Sequence, residues 1–292
     1  MSQVAWTILN LIRWTDERFK KESLATPRLD AEVLLAHTLG VTRVWLYTHF
    51  DQPLERGELA RFKKLIQRRI RREPLAYIVG QREFWSLPFK VTPDVLIPRP
   101  ETEILVAEAL RVLSPPEQIE RSFRVLEIGT GSGAVSIVLA KELSSASVVA
   151  TDLSPKTLSI AEENAVKFGV RERIIFLKGD LFDPLEKEWR FELVITNPPY
   201  IPKDQFPSLQ PEVRDFEPRT ALDGGRDGLA FYRRALPKVG RFLNPGGWFL
   251  AEIGAGQEEE VRRIAEKNPE LDSFAFVTDL AGIKRVFRAQ RK

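Results

Sequence analysis

Asn197-Pro198-Pro199-Tyr200 follows the apolar run Phe191-Glu192-Leu193-Val194-Ile195 and Thr196. Each proline fixes its own φ and pushes the residue before it out of the helical region, so the turn is extended and stiff. The Asn197 carboxamide oxygen and the Pro198 carbonyl are acceptors held in that turn, and Tyr200 adds a flat ring. Two acceptors and a ring in one rigid turn suit a planar group that carries an NH2. Asn197, Pro198 and Tyr200 are the candidate reactive residues, and Pro199 completes a substrate seat.

A second cluster supplies a different chemistry. Glu127-Ile128-Gly129-Thr130-Gly131-Ser132-Gly133 lies between an expected strand and an expected helix. Glycines there permit a tight turn and close approach of a ligand to the backbone. The spacing is GxGxG rather than the GxGxxG of dinucleotide binders, and an acid precedes it. Asp152, nineteen residues past Gly133, stands where a carboxylate can hold a ribose diol. The loop lacks the Lys-Ser or Lys-Thr pair of triphosphate loops, so a nucleoside without a triphosphate fits. S-adenosylmethionine is such a ligand.

These residues need a scaffold. From Arg124 the sequence alternates strand and helix. Strands are expected at Arg124–Ile128, Val148–Asp152, Ile174–Leu177, Phe191–Ile195 and Trp248–Ile253. Helices are expected at 134–143, 155–168, 229–239 and 258–267. Phe274–Val277 and Lys284–Phe287 are spaced to pair as a closing hairpin. Such alternation means an α/β fold with a mainly parallel sheet, whose ligands sit at the carboxyl ends of strands. Residues 1–75 read as helical. Val4, Ile8, Leu11 and Ile12 share one face, Pro27 opens a second helix bearing Leu29, Val33, Leu34 and Ala36, and a third opens near Pro53 with the stripe Leu59, Phe62, Ile66 and Ile70. Its other face carries Arg61, Lys63, Lys64, Arg68, Arg69, Arg71 and Arg72. Residues 76–100 read as a β-hairpin linker, from the strand-forming Tyr77-Ile78-Val79, Phe84-Trp85 and Leu87–Val91. Residues 101–292 form the catalytic domain.

Composition narrows the chemistry. The 292 residues contain no cysteine and two histidines, His37 and His49. Disulfides, cysteine–zinc sites and a thiol nucleophile are thereby excluded, and a Ser-His-Asp triad or a multi-histidine metal site is disfavoured. No metal is expected. A net charge of +3 is mild for a nucleic-acid binder. No apolar run reaches membrane-spanning length, and Met1–Trp6 carries no secretory signature, so a cytoplasmic protein is expected, with a monomer as the default.

Glu127–Gly133 with Asp152 resembles motif I and the acidic residue of class I S-adenosylmethionine-dependent methyltransferases. Asn197-Pro198-Pro199-Tyr200 matches the NPPY motif of enzymes that methylate planar amino or amide nitrogens. Over nearly its whole length the chain resembles the bacterial release-factor glutamine methyltransferases. The matching residues are Leu29-Asp30-Ala31-Glu32, Ala36-His37, Leu39-Gly40, Glu73–Tyr77, Arg82–Trp85, Ile97-Pro98-Arg99-Pro100-Glu101-Thr102-Glu103, Glu217-Pro218, Ala221-Leu222 and Arg285-Val286. The resemblance implies a Rossmann-like, seven-stranded sheet with a terminal antiparallel hairpin. It also implies methyl transfer to the glutamine of the Gly-Gly-Gln motif of peptide-chain release factors, with S-adenosylhomocysteine as the other product. The cofactor-binding set is then Glu127, Gly129, Thr130, Gly131, Ser132, Gly133, Asp152, Asp180, Leu181 and Asn197. Leu181 stands where some relatives carry an aromatic residue. The helical segment is the expected docking domain for the protein substrate.

Three other readings share some of these motifs. A ribosomal-protein glutamine methyltransferase would use the same seat. An adenine-N6 nucleic-acid methyltransferase would have to flip a base and grip phosphates, and no recognition module is evident. A non-catalytic adaptor would not require the loop, Asp152 and the NPPY turn together.

Overall fold

The computed structural model describes residues 6–113 and 122–292; Val4 lies outside them. The chain divides into two compact units. One runs to Gly80 and includes Pro211–Phe216; the other comprises Gln81–Gln210 and Glu217–Lys292.

The first unit is helical: α1 (Ile8–Lys21), α2 (Pro27–Leu39), α3 (Arg43–Thr48), α4 (Arg56–Ile70) and α5 (Leu75–Val79). Local signals set the ends. The Thr7 hydroxyl caps α1, Pro27 opens α2, Gly40 closes it in the left-handed region, and Glu55 with Glu58 forms a capping box on α4. Ile8, Phe19, Leu34, Leu35, Phe62 and Ile66 meet in its core. Buried charge runs beside this core. Arg69, 5% exposed, reaches Asp30 at 2.7 Å and Glu212 at 3.0 Å, and Arg72 reaches Glu212 at 2.8 Å. Glu212 belongs to the short helix Pro211–Phe216 that this unit recruits from far along the chain.

Several local expectations change. Tyr77-Ile78-Val79 is helical, not a strand: Pro74 precedes α5 and Gly80 ends it with φ +76°. The third helix starts at Arg56, while Pro53 instead pairs with Thr7 in an isolated bridge. The short α3 was not anticipated. On α2, Leu29 is exposed and Asp30 is buried, because the Arg69 pair draws the carboxylate inward. The basic stripe is not uniform either: Arg68 is tied to Glu73 and Arg69 is internal.

The second unit opens with the antiparallel hairpin β1 (Gln81–Phe84) and β2 (Leu87–Lys90), then α6 (Thr102–Leu113). There follow β3 (Phe123–Ile128), α7 (Ala134–Glu142), β4 (Ala146–Asp152), α8 (Pro155–Lys167), β5 (Ile174–Lys178) and β6 (Phe191–Thr196). A segment of short helical turns contains the α9 helix (Pro211–Phe216) of the first unit. After it come α10 (Ala230–Val239), β7 (Leu243–Glu252), α11 (Glu258–Ala265), β8 (Leu271–Thr278) and β9 (Lys284–Arg291). The seven-stranded sheet has the order β5-β4-β3-β6-β7-β9-β8. Its first five strands are parallel, and β9 and β8 are antiparallel. This is the expected Rossmann-like sheet with its terminal hairpin. The strand expected at Trp248–Ile253 begins earlier, at Leu243, and takes in Asn244–Gly247 as an irregularity: pairing with β6 jumps from Phe191↔Leu243 to Leu193↔Trp248.

Each sheet face has its own core. Phe84 and Phe89 of the hairpin, Leu105 of α6 and Val138 of α7 cover one face. Tyr232 and Leu236 of α10 and Val261 of α11 cover the other. The strands are apolar on both sides, as a parallel sheet between helix layers requires. Among the described residues, no helix is long and apolar enough to cross a membrane.

Candidate active site

The order β4-β3-β6 brings three strand ends together. The chain moves outward from β3 to β4 and β5, then returns to β6 on the other side of β3, so the switch point lies between β3 and β6. Ile128 pairs with both Thr151 and Thr196, and the Thr196 hydroxyl donates to the Ile128 carbonyl at 2.8 Å. The Gly129 loop and Asn197 consequently begin one residue beyond β3 and β6, and Asp152 is the last residue of β4 beside them.

Gly129, Gly131 and Gly133 all have positive φ, at +73°, +57° and +80°. Nothing lies within 4 Å of where a Cβ on Gly129 or Gly131 would sit, whereas one on Gly133 would be 3.2 Å from the Ala161 Cβ on α8. The first two leave space above the loop for a ligand, and the third lets the loop settle onto α8. Asn164 holds the loop from beneath. Its Nδ2 donates to the carbonyls of Ser132 (2.9 Å) and Lys90 (3.0 Å), and its Oδ1 accepts from the Lys90 amide (2.8 Å).

Glu127 is buried below the same loop. Its Oε2 accepts from the Thr130 hydroxyl at 2.6 Å, from the Ser136 amide at 3.1 Å and from the Ser136 hydroxyl. Burial pushes its pKa up to about 7; these donors resist the shift and the nearby Asp152 charge adds to it. Asp152 accepts the Gly131 amide (3.1 Å) and the Ser154 amide (3.0 Å), which fixes its carboxylate at the loop. Burial raises its pKa, opposed by those backbone N–H groups. The surroundings can accept diol hydroxyls at Asp152 and leave the backbone of Gly129 and Gly131 open to a nucleoside.

At the end of β6, Asn197 donates through Nδ2 to the Thr102 hydroxyl at 3.0 Å. Thr102 donates in turn to Oε2 of Glu252 at 2.7 Å, and the Tyr200 hydroxyl donates to Oε1 at 3.0 Å. Among the described residues, neither Oδ1 of Asn197 nor the Pro198 carbonyl accepts a hydrogen bond. Both acceptors are available to an NH2 group. Burial and then the Glu252 charge raise the Tyr200 pKa, so its phenol keeps its proton and acts as a donor rather than a base. Pro198 is buried and Pro199 half-buried. The turn is clamped from outside as well. The Gln257 amide donates to the Tyr200 carbonyl at 3.0 Å, and a Cβ on Gly224 would lie 2.8 Å from the Tyr200 backbone.

Other expected site residues lie further out. Asp180 is one strand over, past β5, and its carboxylate pairs with Arg234 of α10. Leu181 is buried with φ +50°, packed in the second core rather than standing open. Arg99 pairs with the buried Glu217, which also accepts the Ile97 amide at 3.2 Å; this fixes the path into α6. Thr102, Glu252, Tyr232 and Gln257 are residues whose parts in this network sequence reasoning did not find. Thr102 lay inside a recognised motif, but Glu252 ends an ordinary apolar strand, and only its charge among apolar neighbours marked it. Among the described residues, no group of acidic or histidine side chains is placed to hold a metal.

Comparison with known proteins agrees with this architecture. Residues 10–80 match the PrmC N-terminal domain, and residues 119–288 match a methyltransferase domain. The release factor glutamine methyltransferase of Geobacter sulfurreducens is 45% identical over 281 residues, 96% of this chain and 95% of the relative. That of Rhodopirellula baltica is 40% identical over 286 residues, 98% of this chain and 97% of the relative. Among solved structures, a methyltransferase from Pyrococcus furiosus aligns with TM-score 0.51 at 17% identity, over 71% of this chain and 90% of that one. The hMettl16 catalytic domain in complex with MAT2A 3′UTR hairpin 6 aligns with TM-score 0.53 at 16% identity, over 73% and 78%. At such identities the structural likeness speaks to the fold. The near full-length sequence identity speaks to the family: this chain belongs to the release factor glutamine methyltransferases.

Proposed function

We propose that the chain methylates the side-chain amide nitrogen of the glutamine in the Gly-Gly-Gln motif of peptide-chain release factors, with S-adenosylmethionine as donor. The observation that carries this reading is Asn197: its Nδ2 is engaged by Thr102 and its Oδ1 is left to accept. S-adenosylmethionine supplies an electrophilic methyl group on a sulfonium. Asp152 would hold its ribose, the Gly129–Gly133 backbone its amino-acid portion, and the Asp180–Leu181 turn would border its adenine.

An amide nitrogen is a poor nucleophile because its lone pair is delocalised into the carbonyl. Asn197 Oδ1 and the Pro198 carbonyl can each take one of its N–H groups, which turns the lone pair away from both acceptors and toward the donor site. Such alignment can contribute about 7–11 kcal/mol of barrier lowering at its upper range. The C–S bond breaks as the N–C bond forms, and the proton leaves the nitrogen after transfer, so no strong base is needed. Tyr200, fixed by Glu252, would pack on the glutamine side chain. The helical unit, with Arg61, Lys63 and Lys64 of α4 and the following Arg71 exposed, would dock the protein substrate.

Incubation with methyl-labelled S-adenosylmethionine and a release factor, its Gly-Gly-Ala variant, a ribosomal protein or DNA tests the reading. Label should reach the release factor and not the alanine variant. Label confined to the ribosomal protein or to DNA overturns it. Asn197→Ala should lower kcat by about 100-fold or more while cofactor binding persists.

A further inference from the structure

Three polar side chains from distant parts of the chain meet behind the NPPY turn: Thr102 at the start of α6, Asn197 after β6, and Glu252 at the end of β7. Thr102 and Glu252 are nearly inaccessible, at 5% and 2% exposure. The distances are 3.0 Å from Asn197 to Thr102 and 2.7 Å from Thr102 to Glu252. We propose that Thr102 and Glu252 form a polarity lock, which sets which end of the Asn197 carboxamide faces the substrate and so selects an NH2-bearing side chain.

The direction follows from the hydrogen-bond inventory. A carboxylate only accepts, and a hydroxyl has one proton to give. With that proton committed to Glu252, Thr102 presents only lone pairs to Asn197, and the amide must turn its NH2 inward. A reversed amide would set two acceptors against each other in a buried site, which costs a hydrogen bond and leaves a polar group unpaired. Oδ1 is thereby turned outward as an acceptor. A glutamine NH2 meets it with a donor, whereas a glutamate oxygen or a carbonyl meets it with another acceptor.

Glu252 is itself held in place. Tyr200 occupies its second oxygen at 3.0 Å, and the Tyr232 hydroxyl donates to its backbone carbonyl. One carboxylate therefore fixes both the amide polarity of Asn197 and the ring of Tyr200. Neither Thr102 nor Glu252 is placed to touch the substrate, so both are positioning residues.

This inference rests on the proposed reaction, but its test separates the two. Thr102→Val keeps the side chain's shape and removes the hydroxyl. It should lower kcat toward the release factor by about ten- to a hundredfold, with the KM for S-adenosylmethionine unchanged, and Thr102→Ser should restore most of the loss. In an Asn197→Ala background the same Thr102→Val change should cost almost nothing, because the lock then has no amide to turn. Full-strength loss in that background, failure of serine to rescue, or unchanged kcat in Thr102→Val overturns the lock. An arm independent of turnover is the side-chain amide resonance of Asn197 in the isotope-labelled protein. Its protons should exchange slowly in the wild type and in Thr102→Ser, and fast in Thr102→Val; equal exchange in all three overturns the inference. Wild-type protein that leaves the release factor unlabelled would sink the proposed reaction alone, and the amide exchange would still decide the lock.

Discussion

Glu127→Gln isolates one buried acid beneath the Gly129 loop. In the fold its pKa stands at about 7 against 4.5 for an ordinary glutamate, mainly because burial opposes the charged form. The unfolded chain releases this proton near pH 4.5 and the folded chain holds it to about pH 7. The folded state thus binds more protons across that window, and stability falls as pH rises through it. The contribution is complete below pH 4.5 and lost above about pH 7. A shift of this size corresponds to about 3 kcal/mol. Glutamine resembles the protonated acid and can accept the same donors from Thr130 and Ser136, but it does not titrate. The stability of Glu127→Gln relative to wild type should therefore rise by about 3 kcal/mol between pH 4 and pH 8. Urea titration read by amide-hydrogen exchange of peptides from β3 and β4 confines the measurement to the sheet-bearing unit. A pH-independent difference, or a variant that loses ground as pH rises, refutes the claim that burial dominates at Glu127.

Arg69→Ala removes the cation between buried Asp30 and Glu212 and should destabilise the helical unit by about 3–5 kcal/mol; hydrogen exchange in α2 and α4 measures it, and a loss no larger than that of exposed Arg71→Ala would contradict the arrangement. Gly133→Ala forces an L-residue to φ +80° at a strain of about 1–2 kcal/mol. Its methyl also crowds Ala161, so both the melting temperature and the affinity for S-adenosylmethionine should fall; calorimetry reads both, and unchanged affinity would separate the loop's shape from binding. Charge reversal at Arg61, Lys63, Lys64 and Arg71 together should raise the KM for the release factor, most at low salt, without changing S-adenosylmethionine binding. An unchanged KM removes this face from the docking surface.

Much of the catalytic unit was legible because its signals are local. Strand–helix alternation is written in apolar periodicity, and the Gly129 loop, Asp152 and the NPPY turn each sit at a strand end that the pattern marks. The misreadings came where context overrode propensity. Tyr77-Ile78-Val79 carries β-forming side chains, yet Pro74 and Gly80 bracket one helical turn. The strand expected from Trp248 starts at Leu243, because Phe191 of β6 pairs with Leu243 across the intervening Asn244–Gly247. The basic face of α4 read as uniform because nothing in sequence shows that Arg69 meets Asp30, thirty-nine residues earlier, and Glu212, far later. The support behind Asn197 was hidden for the same reason. Thr102 and Glu252 are 150 residues apart, and only the closed sheet brings them together.

The glycines packed on Tyr200 bear on how a mutational scan of this protein would read. Gly224 sits against the Tyr200 backbone without room for a Cβ, and Gly228 meets the Tyr200 carbonyl. Every substitution at either position should depress turnover, and a map of tolerance would colour them like Asn197. Yet neither offers a functional group to the reaction. Intolerance there measures how little slack the turn has, and positions with chemistry differ by keeping their fold when altered.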